Sequence, residues 1–315
     1  MLLKRGARGD RVAELQRKLL AAGQDPGGAD GAFGPRTDQA VRQFQAAQGL
    51  AADGIVGITT WSALLSGGAI IVRPEVRWFG ARRVEMWRAT MQRARVRPRC
   101  IWAADPVAMV AELEARRRVG RTDIPRWVRR PLSMLAKGQL LAVNSAFFDF
   151  GNGWPLGPTI EAGRPINGGM ARPPEEFTVV VTEPELALAN QSASVVYDLI
   201  GAGVRQAFST IPALVRDGRR QIGGHLPEHH GPAPRSLLGW NATEIHAIVA
   251  DGRSWRSRGL TMDEAASLLL EAGCMEGVNL DSGGSAEMVL HGEVVNRPSD
   301  GSERPLPAVL GFELV

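Results

Sequence analysis

Residues 29–41 read ADGAFGPRTDQAV, and residues 52–64 repeat the pattern as ADGIVGITTWSAL. Each copy has an Asp-Gly pair, two residues, another glycine and then a threonine opening an apolar-periodic run. The Asp-Gly pair turns the chain, because glycine accepts backbone angles closed to other residues, and the later glycine precedes a helix. Val12, Leu15 and Leu19 recur at helical spacing before the first copy. Val41 and Phe44 do so after it, and Trp61, Leu64 and Leu65 line a third short helix. Three short helices joined by such turns must close on one apolar centre, a small bundle.

The chain has 315 residues, enough for two domains. Hydrophobic residues make up 44% and charged residues 22%, and the apolar runs are strand-sized, so a membrane span is not expected. The opening MLLKRGARGD carries charge where a secretory signal has its apolar region, so no signal peptide is visible. Cys100 and Cys274 form no metal or redox spacing and are expected as two buried free thiols. Net charge is uneven: +2 over 1–70, +11 over 71–137 and −9 over 138–315. The basic segment suits either a solvated arginine-rich surface or a phosphate-bearing polymer, and no nucleic-acid motif accompanies it.

Beyond about residue 75 the pattern changes. RVEMWRATMQ alternates like a half-buried strand, and PRCIWAA, QLLAVNSAFFD, FTVVVTE, STIPALVRDGRR and TEIHAIVADGRS are strand-like. DPVAMVAELEARRR reads as a helix capped by Asp105, and LTMDEAASLLLEAGC as one with a capping box at Thr261 and Glu264. The fold class is therefore α+β: a three-helix bundle, then a larger mixed or antiparallel sheet domain with flanking helices. The boundaries are 1–67, a linker at 68–77 beginning with SGG, and 78–315.

The stretch VNLDSGGSAEMVLHG (278–292) sends an aspartate out of an apolar run into a glycine turn and then resumes as a strand. One reading is a tight hairpin with a polar tip. The other is a site, with Asp281 as working carboxylate and Gly283 and Gly284 letting a ligand approach the backbone. Arg235 in APRSLLGW suits a phosphate through its planar fork, or a neighbouring carboxylate. Glu287 is a candidate second acid. Asp251 and Arg253 read as a hairpin pair. His225, His229 and His230 flank Glu228 without metal-site spacing and read as a structural or substrate-contacting loop. No cofactor is called for; carboxylates near Asp281 leave room for a divalent cation, but no ligand set is readable.

LKRGARGDRVAELQRKL, DGAFGPRTDQAVRQFQAAQGL and DGIVGITTW, in this order, resemble the peptidoglycan-binding type 1 module over residues 2–66. That resemblance implies noncatalytic attachment to bacterial peptidoglycan. AVNSAFFD, ALVRDGR, PRSLLGW, IVADGRS, NLDSGGSAEMVLHG and VVNRPSDGSERPLP resemble the phosphodiester glycosidase family across roughly 78–315. Its members include enzymes that remove N-acetylglucosamine from phosphodiester-linked sugars. The chain departs from the family's Asn-Gly-Gly-Phe-Phe at Asn144-Ser145-Ala146, and from Asp-Gly-Gly-Gly-Ser-Ser at Asp281-Ser282 and Ala286. The resemblance implicates Asp281, Arg235 and Asn144 as catalytic. It implicates Ser145, Asp149, Asn279, Gly283, Gly284, Ser285 and Asn296 as substrate-binding, with the Gly283–Gly284 amides as an anion-binding turn.

The implied protein is a cell-wall hydrolase cleaving a sugar-1-phosphodiester or glycosidic bond in wall glycan or teichoic acid. Its partners are peptidoglycan and associated phosphate-bearing glycans, and a phage endolysin released from the cytoplasm is one setting. The alternatives are a lysozyme-like glycan-strand hydrolase and a noncatalytic wall-binding protein.

Overall fold

A computed structural model describes residues 2–166, 177–189, 195–221 and 231–315. The repeat forms three helices, α1 (Asp10–Ala21), α2 (Pro35–Ala47) and α3 (Ile58–Leu65). Val12, Leu15, Leu19, Val41, Phe44, Trp61 and Leu64 share their buried centre. The repeat has a polar cause as well. Gln16 donates to Asp30 at 2.8 Å and Thr37 at 3.1 Å, and accepts from the Gly31 amide at 2.9 Å. Gln45 repeats this set with Asp53 at 2.9 Å, Thr60 at 3.2 Å and the Gly54 amide at 2.9 Å. Each buried glutamine thus satisfies an Asp-Gly turn and the threonine of the following helix, which explains why both recur.

The expected linker is a strand. Residues 70–77 lie in β1 (Ile70–Phe79), which pairs antiparallel with β2 (Arg82–Gln92). The alternation IIV continues the chain directly into a sheet, and Ile71 packs on the helical module's core. Arg73 donates to the Gln48 carbonyl at 2.9 Å, Arg95 donates to the Gly67 carbonyl at 3.0 Å, and Ser62 meets His291 at 3.1 Å. The module is therefore docked on the larger domain.

That domain contains three antiparallel sheets. The first has seven strands, in the order β1, β2, Glu244–Ala250, Arg235–Trp240, Glu276–Asn279, Ala213–Arg216 and Arg219–Arg220. The second has Glu293–Val294, Met288–Leu290, β4 (Leu141–Asn144), Ala308–Leu314 and β3 (Val96–Trp102) in that order. The third runs Arg164–Pro165, Ile160–Glu161, Gln206–Thr210, Thr178–Glu183 and Ala187–Ala189. Leu238, Val249 and Val278 of the first sheet share one core with Val143, Met288 and Leu310 of the second and Phe208 of the third. Burying each such side chain contributes roughly 1.5–3 kcal/mol.

Helix Met262–Glu271 covers the first sheet's other face, and its expected capping box is formed by Thr261 and Glu264. Asp105 caps helix Pro106–Arg118 through the Val107 amide at 2.9 Å. Cys100 and Cys274 are buried free thiols. No described helix is long and apolar enough to cross a membrane.

Candidate active site

NLDSGGSAEM is not a hairpin. Glu276–Asn279 belongs to the seven-stranded sheet and Met288–Leu290 to the second, so residues 280–287 cross between sheets at the edge of the shared core. The hairpin reading fails because both flanking strands are buried, each in its own sheet. The crossing chain is pinned at each step. Asp281 donates its amide to the Ser145 carbonyl at 3.0 Å, and its carbonyl accepts from the Asn144 side chain. Gly283 donates to the Pro234 carbonyl at 3.0 Å and holds φ at 65°, left-handed backbone that glycine tolerates.

A cleft of about 580 Å³ opens here. Asp149, Arg235, Asn279, Asp281, Gly283 and Gly284 line it, so the structure brings six of the ten expected residues to one surface. The other four lie beneath. Asn144 is fully buried; its Oδ1 accepts from the Ser236 hydroxyl and from the Glu287 amide at 3.2 Å, so its polar atoms are engaged within the protein rather than by substrate. Ser145 is buried below Asp281. Ser285 is buried and accepts from Arg304 Nη1 at 3.2 Å. Asn296 donates to the Ala286 carbonyl at 2.9 Å and accepts from the Met288 amide at 2.8 Å, stapling the following loop to the crossover. The anion-binding turn also needs correcting, since the Gly283 amide is engaged by Pro234.

Asp281 is 6% exposed, and Oδ1 accepts from the Ser282 amide at 2.9 Å. Burial pushes its carboxyl up to about 6, against the pull of hydrogen bonds from Ser285 and the Ser282 amide and of the Arg304 charge. Arg235 is buried, with guanidinium hydrogen bonds to the carbonyls of Leu260 at 3.2 Å and Gly231 at 3.0 Å. Burial, with the neighbouring Arg253 charge, lowers it to about 10.

Two further arginines line the cleft: Arg253, expected from the sequence to pair with Asp251, and Arg304, to which the sequence assigns no role. Arg253 has φ at 58°, an uncommon conformation for a bulky residue, which sends it to the cleft instead of to Asp251. Asp251 accepts from the Arg297 amide at 2.9 Å and from Asn296 at 3.3 Å, so the expected hairpin pair does not form. Arg304 bonds Asp300 at 2.6 Å and lies 5.1 Å over the Phe150 ring. A Cβ on Gly284 would come within 2.0 Å of Arg304 Nη2, so this glycine is what lets the guanidinium approach.

Glu287, the candidate second acid, is fully buried and does not line the cleft. Its Oε1 accepts from the Arg304 amide at 2.8 Å, while Oε2 has no hydrogen-bond partner among the described residues. Burial and the Glu303 charge raise it to about 8, against the Arg304 amide and charge. The Ser282 hydroxyl donates to Asn279 Oδ1 at 2.9 Å, so the side chain replacing the family's glycine is folded onto the cleft wall. No cluster of three metal-competent side chains occurs among the described residues. The histidine-rich stretch 225–230 lies outside them.

Comparison with known proteins agrees with both halves. The phosphodiester glycosidase family model matches residues 137–313, and the peptidoglycan binding domain model matches 8–64. The catalytic domain of zebrafish N-acetylglucosamine-1-phosphodiester alpha-N-acetylglucosaminidase superposes with a TM-score of 0.61 at 18% identity, covering 77% of this chain and 83% of that one. At that identity the likeness is one of fold. The SPbeta prophage-derived uncharacterized protein YomE of Bacillus subtilis is 35% identical over 112 residues, 34% of this chain and 17% of its own. N-acetylmuramoyl-L-alanine amidase CwlL of Bacillus licheniformis is 44% identical over 75 residues, 23% of this chain and 21% of its own. The chain thus spans about a fifth of the length of these curated relatives. With more than half of its length matched, the chain belongs to the phosphodiester glycosidase family and carries a peptidoglycan-binding domain ahead of that region.

Proposed function

We propose that this protein is a cell-wall-targeted hydrolase that cleaves a sugar-1-phosphodiester in wall glycan or teichoic acid. The observation that carries this reading is one buried carboxylate, Asp281, in a cleft lined by three guanidinium groups, Arg235, Arg253 and Arg304. Cleavage between the anomeric carbon and its oxygen consumes water and releases a free sugar and a phosphate monoester. The monoester is a far weaker base than a sugar hydroxyl, so a second carboxylic acid to protonate it is not needed. Asp281 serves as nucleophile, base or stabiliser of the oxocarbenium-like transition state, and the arginines hold the departing phosphate.

A lysozyme-like reading needs a second acid, and the cleft supports it less well. Asp149 lines the cleft, but its Oδ1 accepts from the amides of Gly151 at 2.8 Å and Asn152 at 2.9 Å, as a turn cap. The helical module supports peptidoglycan as the anchoring partner, and the wall as the site of action follows in this reading, as does the endolysin setting.

Purified walls, intact and stripped of teichoic acid, separate the alternatives. Phosphorylated fragments released only from intact walls are expected. Reducing sugar from stripped walls would favour glycan-strand cleavage, and sedimentation without release would leave a binding protein.

A further inference from the structure

The cleft does not end at Arg304. A second hollow of about 630 Å³ adjoins it, lined by Trp127, Arg129, Phe148, Phe150, Arg304 and Pro305. Phe148, Phe150 and Arg304 line both spaces. We propose that this hollow binds the neighbouring sugar-phosphate unit of a polymeric substrate, so that the enzyme acts on chains of phosphodiester-linked sugars. The inference rests on the phosphodiester reading of the cleft.

In the hollow two adjoining phenylalanine rings lie between two cations. Arg129 lies 5.9 Å from the Phe148 ring and Arg304 lies 5.1 Å from that of Phe150, while the two rings are 5.0 Å apart. Phe150 is 63% exposed, a cost in apolar surface that a sugar face would remove. Arg129 takes part in none of the ion pairs among the described residues; its Nη1 donates to the Phe150 carbonyl at 3.1 Å, which holds the charge beside the exposed ring. A pair of tilted rings flanked by guanidinium groups suits a ligand that is apolar on one face and anionic at each link. A repeating sugar phosphate has that chemistry.

The floor is preorganised. Trp127 packs 4.8 Å from Trp154 and 5.6 Å from Trp102, and its amide donates to the Asn152 carbonyl at 2.7 Å. Trp154 donates its indole N–H to the Pro125 carbonyl at 2.7 Å. Residues 125–130 are thereby fixed against the loop that carries Phe148 and Phe150. This also gives one arginine of the basic segment, Arg129, a role.

The test compares two substrates, a hexosamine-1-phosphate methyl ester and an oligomer of four such phosphodiester-linked units. In Arg129→Gln the ratio of kcat/KM for the oligomer to kcat/KM for the single unit should fall about tenfold, the loss of one charge-assisted contact. The change should appear in KM, Arg129→Glu should lower the ratio further, and Arg129→Lys should restore part of it. A ratio unchanged in both Arg129→Gln and Arg129→Glu, with melting temperatures at the wild-type value, would overturn the proposal. Wild-type protein inactive on both substrates would instead count against the phosphodiester reading. Equilibrium binding of the oligomer to wild type and Arg129→Gln then decides the hollow on its own: equal affinities overturn it, and a weaker variant supports it.

Discussion

Asp281 and Glu287 are six residues apart on one crossover, yet they occupy opposite sides of the site's wall. Asp281 reaches the cleft, while Glu287 is enclosed beneath it with one oxygen unpartnered. Its raised carboxyl, near 8, makes a stability prediction with a definite sign. The native state keeps a proton that the unfolded chain releases near 4.5, so stability falls as pH rises from about 4.5 towards 8. The slope is at most about 1.4 kcal/mol per pH unit. Glu287→Gln removes that loss, so its melting temperature should exceed the wild type's at pH 8 and converge with it at pH 5. Parallel melting curves across that range would show that the carboxyl is ionised in the native protein. The signal for this arrangement was absent from the sequence: alternation around Glu287 fits either face. Arg304 was hidden differently, inside a motif whose residues point in several directions.

The crossover from Asn279 to Met288 is the element on which the site depends, and its role was only half legible. The run of apolar residues, aspartate and glycines marked an unusual turn. Which sheets its flanking strands join is a tertiary matter that local pattern does not encode. The glycines also work differently from the expectation. Gly283 spends its amide on Pro234, and Gly284 makes room for the Arg304–Asp300 pair. Gly284→Ala should therefore displace that guanidinium and reduce turnover, at little cost in stability, because the atoms a Cβ would meet are the ends of two flexible side chains. Circular dichroism melts and steady-state kinetics check both. A variant with normal stability and full activity would mean that Arg304 does not need its observed position.

The whole molecule couples its two domains more tightly than a Ser-Gly-Gly stretch suggests. The repeat, the helices and most strands could be read from periodicity and turn residues, because those signals are local. The absence of a linker could not, since IIVRPEV shows a strand only once β2 is there to pair with it. Residues 1–66 have a closed core of their own and should fold alone and sediment with purified peptidoglycan. Their removal should lower the melting temperature of the remainder by exposing β1, besides weakening attack on intact walls. A remainder that melts as the full chain does would indicate independent domains.

Stability should also fall in acid through His291, which meets Ser62 across the domains. Burial holds its pKa beneath the ordinary 6.5, so the unfolded chain protonates first. The melting temperature should drop as pH falls from 6.5 towards the lowered native value, and a melting temperature flat over that range in wild type would contradict this.

The carboxylate of Asp281 is the group on which the proposed chemistry depends. Burial raises it to about 6, so kcat/KM of the wild type should climb through an acid limb near that pH as the group ionises. The same burial makes the charge a cost to folding at neutral pH, because stability falls as pH rises from 3.8 to about 6. Asp281→Asn, measured on a hexosamine-1-phosphate methyl ester at pH 7, tests both sides at once. The expected result is turnover reduced about a hundredfold or more, with a melting temperature equal to or above the wild type's. Near-full turnover in a normally folded Asp281→Asn protein would contradict the account and return the crossover to a purely structural role.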